Sequence, residues 1–169
     1  MKLSRRSAIF AVSGTLPYLA FNRAAYAGTV VKVSLWDKGE TSMEGIDTLM
    51  PMGLAMPGAK MDMASMGITV DILEIAAGEV TFKVVNESKD FYHSLVISPV
   101  EDLSSALPYI VDQKMVDEDA AGRTAKVKEL RPHDSGAVTV DLKPGKYILY
   151  CNIAGHYVMG MWTMVTVTE

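Results

Sequence analysis

The sequence predicts an all-β protein, an antiparallel β-sandwich of about seven or eight short strands, with an irregular or partly helical insertion around residues 100–130. Three observations carry that prediction. Several segments alternate apolar with polar residues, the period of a half-buried strand. Gly, Pro, Asn and Asp clusters punctuate the chain between those segments. The composition is that of a globular domain, with 49% of the 169 residues hydrophobic and 21% charged, and a single cysteine leaves no internal disulfide to replace a core.

The first 27 residues read as an export signal. Lys2, Arg5 and Arg6 form a basic start, residues 8–20 are largely apolar, and Ala25-Tyr26-Ala27 supplies the small-x-small pattern of a cleavage site. The apolar run is too short for a spanning helix and is interrupted by Gly14 and Pro17, so the mature form is expected to have no membrane span. Paired arginines within Ser4-Arg5-Arg6-Ser7 resemble a twin-arginine signal. Cleavage after Ala27 removes four basic residues and no acids, leaving twelve basic against twenty acidic and a net charge of −8. That balance gives no support to nucleic-acid binding, which needs a basic face, and favours cations or basic partners.

Residues 28–169 read as one domain: an N-terminal strand plus a methionine-rich segment over 28–65, then the sandwich core over 66–169. Residues 30–36 alternate as a first strand, and 68–75 as a second. Ala76-Ala77-Gly78-Glu79 turns into a strand over 80–84, and another covers 93–97 after the polar stretch 86–90. Asp117-Glu118-Asp119 followed by Ala120-Ala121 suits either a short helix, with acids at its positive end, or a solvated loop. Residues 138–142 alternate, Lys143-Pro144-Gly145-Lys146 has the composition of a type II turn, 147–151 resumes extended structure, and 162–168 forms the last strand.

Chemistry concentrates in Cys151-Asn152-Ile153-Ala154-Gly155-His156-Tyr157-Val158-Met159-Gly160-Met161, a thiol, an imidazole and thioethers between two predicted strands. Strand parity puts Tyr147, Leu149 and Cys151 on one face, and Met161, Val165 and Val167 on one face of the next strand. His93 is in phase with Leu95 and Ile97. Two imidazoles, a thiolate and a weak thioether suit a copper ion cycling between Cu(I) and Cu(II), which is electron-transfer chemistry rather than bond-making.

The spacing Cys-x4-His-x4-Met at 151, 156 and 161, with His93-Ser94 upstream, resembles the type 1 copper site of the cupredoxins, and is most similar to rusticyanin-like and sulfocyanin-like members. Residues 81–86, 142–147 and 155–162 resemble the periplasmic copper-tolerance cupredoxins of CopI type. The resemblance covers roughly residues 66–169 and implies a Greek-key sandwich holding one type 1 copper. It implies His93, Cys151 and His156 as equatorial ligands and Met161 as the axial one, with Met159 the alternative thioether. It implies that the Ser94 amide helps hold the cysteine sulfur, and that His156 lies near the surface in an apolar docking patch of Tyr157, Val158 and Met159.

An enzyme is not expected. A binuclear copper site needs a second cysteine, and multicopper oxidases need more histidines than the one remaining, His133, which sits in a turn-like stretch. A cysteine hydrolase needs an activated, accessible thiol, and zinc does not usually take a thioether. The expected protein is periplasmic, with copper tolerance or one-electron shuttling to a basic redox partner such as a cytochrome as its uses. Met43, Met50, Met52, Met56, Met61, Met63 and Met66 stand outside any regular period; a hydrophobic flap over the copper end and weak Cu(I) binding both account for them.

Overall fold

The computed structural model describes residues 28–49 and 64–169. The expected export signal and the methionines from Met50 to Met63 lie outside the described residues. The strands are β1 (Thr29–Asp37), β2 (Met66–Val70), β3 (Glu74–Ala76), β4 (Gly78–Asn86), β5 (His93–Val100), β6 (Tyr109–Ile110), β7 (Met115–Val116), β8 (Ala125–Leu130), β9 (Ser135–Leu142), β10 (Gly145–Tyr150) and β11 (Trp162–Thr168). One sheet has the order β2-β1-β4-β9 and the other β3-β11-β10-β5-β8, with β6 and β7 as a separate ribbon.

The sheets face each other across a core whose inward residues alternate along each strand. Val31, Val33 and Leu35 of β1 meet Val80, Phe82 and Val84 of β4, and from the opposite sheet come Leu95, Ile97, Tyr147, Leu149, Val165 and Val167. Each such large side chain, fully removed from water, contributes roughly 1.5–3 kcal/mol before chain entropy is counted. To the expected antiparallel ladders the structure adds two parallel pairs, β1 with β4 and β3 with β11.

The second parallel pair arises because residues 68–75 form two strands rather than one. Asp71 accepts the Lys32 amide on Oδ1 at 2.7 Å and returns its own amide to the Lys32 carbonyl at 3.2 Å. That exchange closes β2 against β1 and releases the chain to cross to the other sheet, where β3 pairs with β11.

Residues 100–124 form the expected irregular insertion, and a strand that the sequence did not announce follows it. Of the two alternatives for the acidic stretch, the loop is the one observed: it holds a single turn in which the Ala121 amide reaches the Asp117 carbonyl at 2.9 Å, and Gly122 at φ +66° ends it. Past that turn, β8 pairs with β5 as the edge of the five-stranded sheet. Its sequence, Ala-Lys-Val-Lys-Glu-Leu, buries only Val127, so its alternation is weak. The rest of the insertion covers the outer face of the same sheet, where Leu107, Val116, Ala121 and Tyr157 pack on Val96, Ile148 and Tyr150. β5 and β10 are thereby buried on both faces, and their sequences read as continuous apolar runs rather than alternations.

At one end of the sandwich the inward positions become polar. Asp37 is in phase with Val31, Val33 and Leu35; Asn86 with Val80, Phe82 and Val84; His93 with Leu95 and Ile97. The loop between β10 and β11 closes over that end.

Candidate metal centre

His93 is delivered by a short, heavily bonded turn between the two sheets. Asn86, fully buried at the end of β4, accepts the Ser88 amide at 3.0 Å and donates to the carbonyls of Phe91 at 2.9 Å and Leu130 at 3.0 Å. The Ser88 hydroxyl accepts the amides of Asp90 and Phe91. At the start of β5 the register with β8 shifts between His93 and Leu95, an irregularity of the kind that re-aims groups beside functional sites. Here the Ser94 amide donates to Cys151 Sγ at 3.3 Å instead of extending the ladder.

Cys151 follows β10 directly and bonds to the foot of β11: its amide donates to the Met161 carbonyl at 3.0 Å, and the Met161 amide to the His156 carbonyl at 3.1 Å. Within the loop the His156 amide reaches Ile153 and that of Gly160 reaches Tyr157. Gly155, at φ +85°, is the position the turn cannot give to another residue. Its amide donates to the Lys114 carbonyl at 2.7 Å, and a Cβ there would stand 1.8 Å from Ile46 Cδ1 and 3.3 Å from Met43 Cε. The chain before β2 thus lies over the loop at Gly155, and Ala64 lies against it at Gly160.

The loop is also tied to the insertion. The Asn152 side chain accepts the Val116 amide at 2.8 Å and donates to the Val116 carbonyl at 3.0 Å, pairing with β7 as a neighbouring strand would, beside its partner β6. It donates as well to Glu118, which holds Arg123 and Lys126.

Three donor atoms converge from these elements. The potential ligand atoms of His93, Cys151 and His156 all lie within 4.8 Å of one another, and all three residues are buried. Nδ1 of His93 is 3.2 Å from Nδ1 of His156, which is 3.5 Å from Cys151 Sγ. Met161 is fully buried at the foot of the same loop. His93 turns its other nitrogen, Nε2, to Asp37 Oδ2 at 2.9 Å. The remaining histidine, His133, is exposed in left-handed backbone between β8 and β9.

Electrostatics keep the imidazoles neutral. Burial, reinforced by His93, pulls His156 down from 6.5 to about 4. Burial also lowers His93, against the pull of Asp37. Burial pushes the Cys151 thiol up, opposed by hydrogen bonds from the amides of Ser94 and Ile153 and from the Ser94 hydroxyl. Asp37 is raised by burial, but its bonds from Ser88, His93 and Gly39 outweigh that and hold it below the ordinary carboxylate value. Two neutral imidazole nitrogens and one soft sulfur, buried and pointed at a common centre, are a donor set suited to one copper ion.

Two expectations for this region are corrected. His156 is 3% exposed rather than near the surface, because Met43 and Ile46 cover the adjoining Gly155 and Phe91 packs on its ring in a T-shaped contact at a centroid distance of 6.3 Å. Tyr157 does not contribute to an outer patch: it is buried under the insertion and accepts the Leu107 amide on its hydroxyl. Val158 and Met159 are half-buried. The sequence reading did not single out Asp37, Asn86, Phe91 or Asn152. Parity was the available signal for the first two, since each is a polar residue ending an inward apolar series.

The architecture is similar to that of rusticyanin, a copper protein. Reduced rusticyanin matches at 22% identity and a TM-score of 0.52 over 85% of this chain and 82% of that one. Rusticyanin from Thiobacillus ferrooxidans matches at 20% identity and a TM-score of 0.52 over 85% and 80%. Auracyanin from Roseiflexus castenholzii matches at 23% identity and a TM-score of 0.45 over 60% and 88%. No family model and no curated protein matches the chain. The likeness to rusticyanin, at these identities, shows the fold alone, a β-sandwich of the cupredoxin type.

Proposed function

From a cupredoxin sandwich with two imidazoles and a thiol converging at one end, we infer that this protein is a type 1 copper protein that carries single electrons. The observation that supports it most directly is the convergence of the buried His93 Nδ1, His156 Nδ1 and Cys151 Sγ within 4.8 Å of one another. Met161 is the proposed axial donor, favoured over Met159 by its complete burial and its backbone bonds to both Cys151 and His156.

A bound copper ion supplies the one-electron Cu(II)/Cu(I) couple. The chain supplies a frame that changes little between the two states. Cys151 and His156 are fixed by backbone bonds to Met161, and His93 by Asp37. The thiol gives up its proton when metal is loaded, and the Ser94 amide steadies the resulting negative sulfur. Electron exchange with a partner passes through what covers His156, namely Phe91 and the residues over Gly155. The acidic balance of the chain favours a basic partner, and salt weakens that association. The N-terminal pattern supports export to the periplasm.

Copper tolerance is a second use of the same site, favoured by one observation: a methionine-rich stretch begins at Met43, which packs beside the ligand loop. Deleting the gene separates the two uses. Copper-sensitive growth with normal respiration supports tolerance, and a respiratory defect alone supports shuttling.

The direct test is the visible spectrum of the oxidised, copper-loaded protein. A strong sulfur-to-copper charge-transfer band that vanishes in Cys151→Ser is expected. A colourless loaded protein would falsify the assignment.

A further inference from the structure

Asp37 ends β1 on its inward parity, and its side chain is 1% exposed. A carboxylate is costly to bury there unless it is paired. Its oxygens are fully engaged: Oδ1 accepts the Gly39 amide at 2.8 Å, Ser88 donates to the carboxylate, and Oδ2 meets His93 Nε2 at 2.9 Å. Among the ion pairs of the described residues none brings a Lys or Arg to Asp37; His93 is its one cationisable contact. The fold therefore holds an anion against the outer nitrogen of His93, with no Lys or Arg paired to it among the described residues.

Two consequences follow from elementary chemistry. An ionised carboxylate only accepts hydrogen bonds, so His93 must carry its proton on Nε2 and present a bare Nδ1 toward Cys151 and His156. Charge then counts in the loaded site: a thiolate and a carboxylate neutralise a dipositive ion, whereas the monopositive ion leaves one buried negative charge. Asp37 thus favours the oxidised state.

We propose that Asp37 is a positioning residue that fixes the tautomer of His93 and also sets the reduction potential of the site, holding it below the value a neutral hydrogen-bond acceptor would give. The proposal rests on the copper reading for its second half and on the chain alone for its first.

The experiment compares the full-length wild-type protein with Asp37→Asn and Asp37→Ala. Asparagine keeps an acceptor for the imidazole and removes the charge; alanine removes both. In the copper-loaded proteins, a mediated redox titration followed through the charge-transfer band should show Asp37→Asn shifted at least about tenfold toward Cu(I), or ~59 mV for one electron. An unchanged potential in Asp37→Asn, with a wild-type spectrum, overturns the potential-setting role. In the metal-free proteins, long-range proton–nitrogen NMR should show His93 protonated at Nε2 in wild type and Asp37→Asn, with that preference lost in Asp37→Ala. A wild-type His93 protonated at Nδ1 overturns the positioning role. If Asp37→Ala does not fold, wild type and Asp37→Asn still decide both points. A wild-type protein without a charge-transfer band removes the copper reading, while the NMR still decides whether Asp37 holds His93.

Discussion

The backbone amide of Ser94 donates to Cys151 Sγ across 3.3 Å, while the hydroxyl of the same serine lies 3.7 Å from that sulfur and accepts the Asn152 amide at 3.2 Å. One residue at a strand irregularity thus contacts both the sulfur and the backbone just past it. In Ser94→Ala the amide bond stays and the hydroxyl is lost. The sulfur becomes a stronger donor, so the reduction potential of the copper-loaded protein should fall. Metal-free stability should drop by about 1–2 kcal/mol, because the buried Asn152 amide loses its acceptor. Voltammetry and urea unfolding measure the two effects, and a potential that rises instead contradicts this account of the sulfur.

The two thioethers of the loop are separable. Met161 is fully buried and Met159 half-buried. Met161→Leu should retain copper but shift its potential and its electron paramagnetic resonance parameters, since the axial group tunes both. Met159→Leu should leave both as in wild type. The reverse pattern would reassign the axial position.

Acid should destabilise the metal-free protein. His156 takes up its proton near 6.5 when unfolded but only at about 4 when folded. Between those values the unfolded chain binds more protons, so stability is fully present above about pH 6.5 and is lost as pH falls toward 4. Each pH unit in that window is worth about 1.4 kcal/mol, or ~3 kcal/mol in all. Denaturant midpoints measured across that range in wild type and His156→Phe test the sign: the variant's profile should be flatter.

Asn152 joins the ligand loop to the insertion through Val116 and Glu118. Truncation in Asn152→Ala leaves both backbone groups of Val116 without that partner. A loss of ~2–4 kcal/mol is expected, read by thermal or chemical unfolding. A change under about 0.5 kcal/mol would mean that water replaces the amide at little cost.

Much of this was legible in the sequence because period-two patterning is a local property. Val31, Val33 and Leu35 declare the inward face of β1 without reference to any other strand, and Val80, Phe82 and Val84 do so for β4. What escaped notice depends on partners distant in the chain. The separation of β2 from β3 rests on Asp71 bonding to Lys32, and the strand character of β8 on its pairing with β5. The burial of Tyr157 required knowing that residues 101–124 fold back over the outer face. His93, Cys151 and His156 were legible as a set because the chain has one cysteine and three histidines; Met161 stands as a proposal. Asp37 is one of many carboxylates, and only its place in the alternation marks it.

Two of the three convergent donors, Cys151 and His156, lie five positions apart, whereas His93 is 58 positions before the first of them. The denatured polypeptide therefore already offers a local bidentate chelate, before any sheet has formed. Metal that binds both ensembles stabilises the native one only by the difference between its two affinities. The rise in melting temperature on loading should accordingly fall short of what the native affinity alone dictates, the shortfall being the grip of that short chelate on the disordered chain.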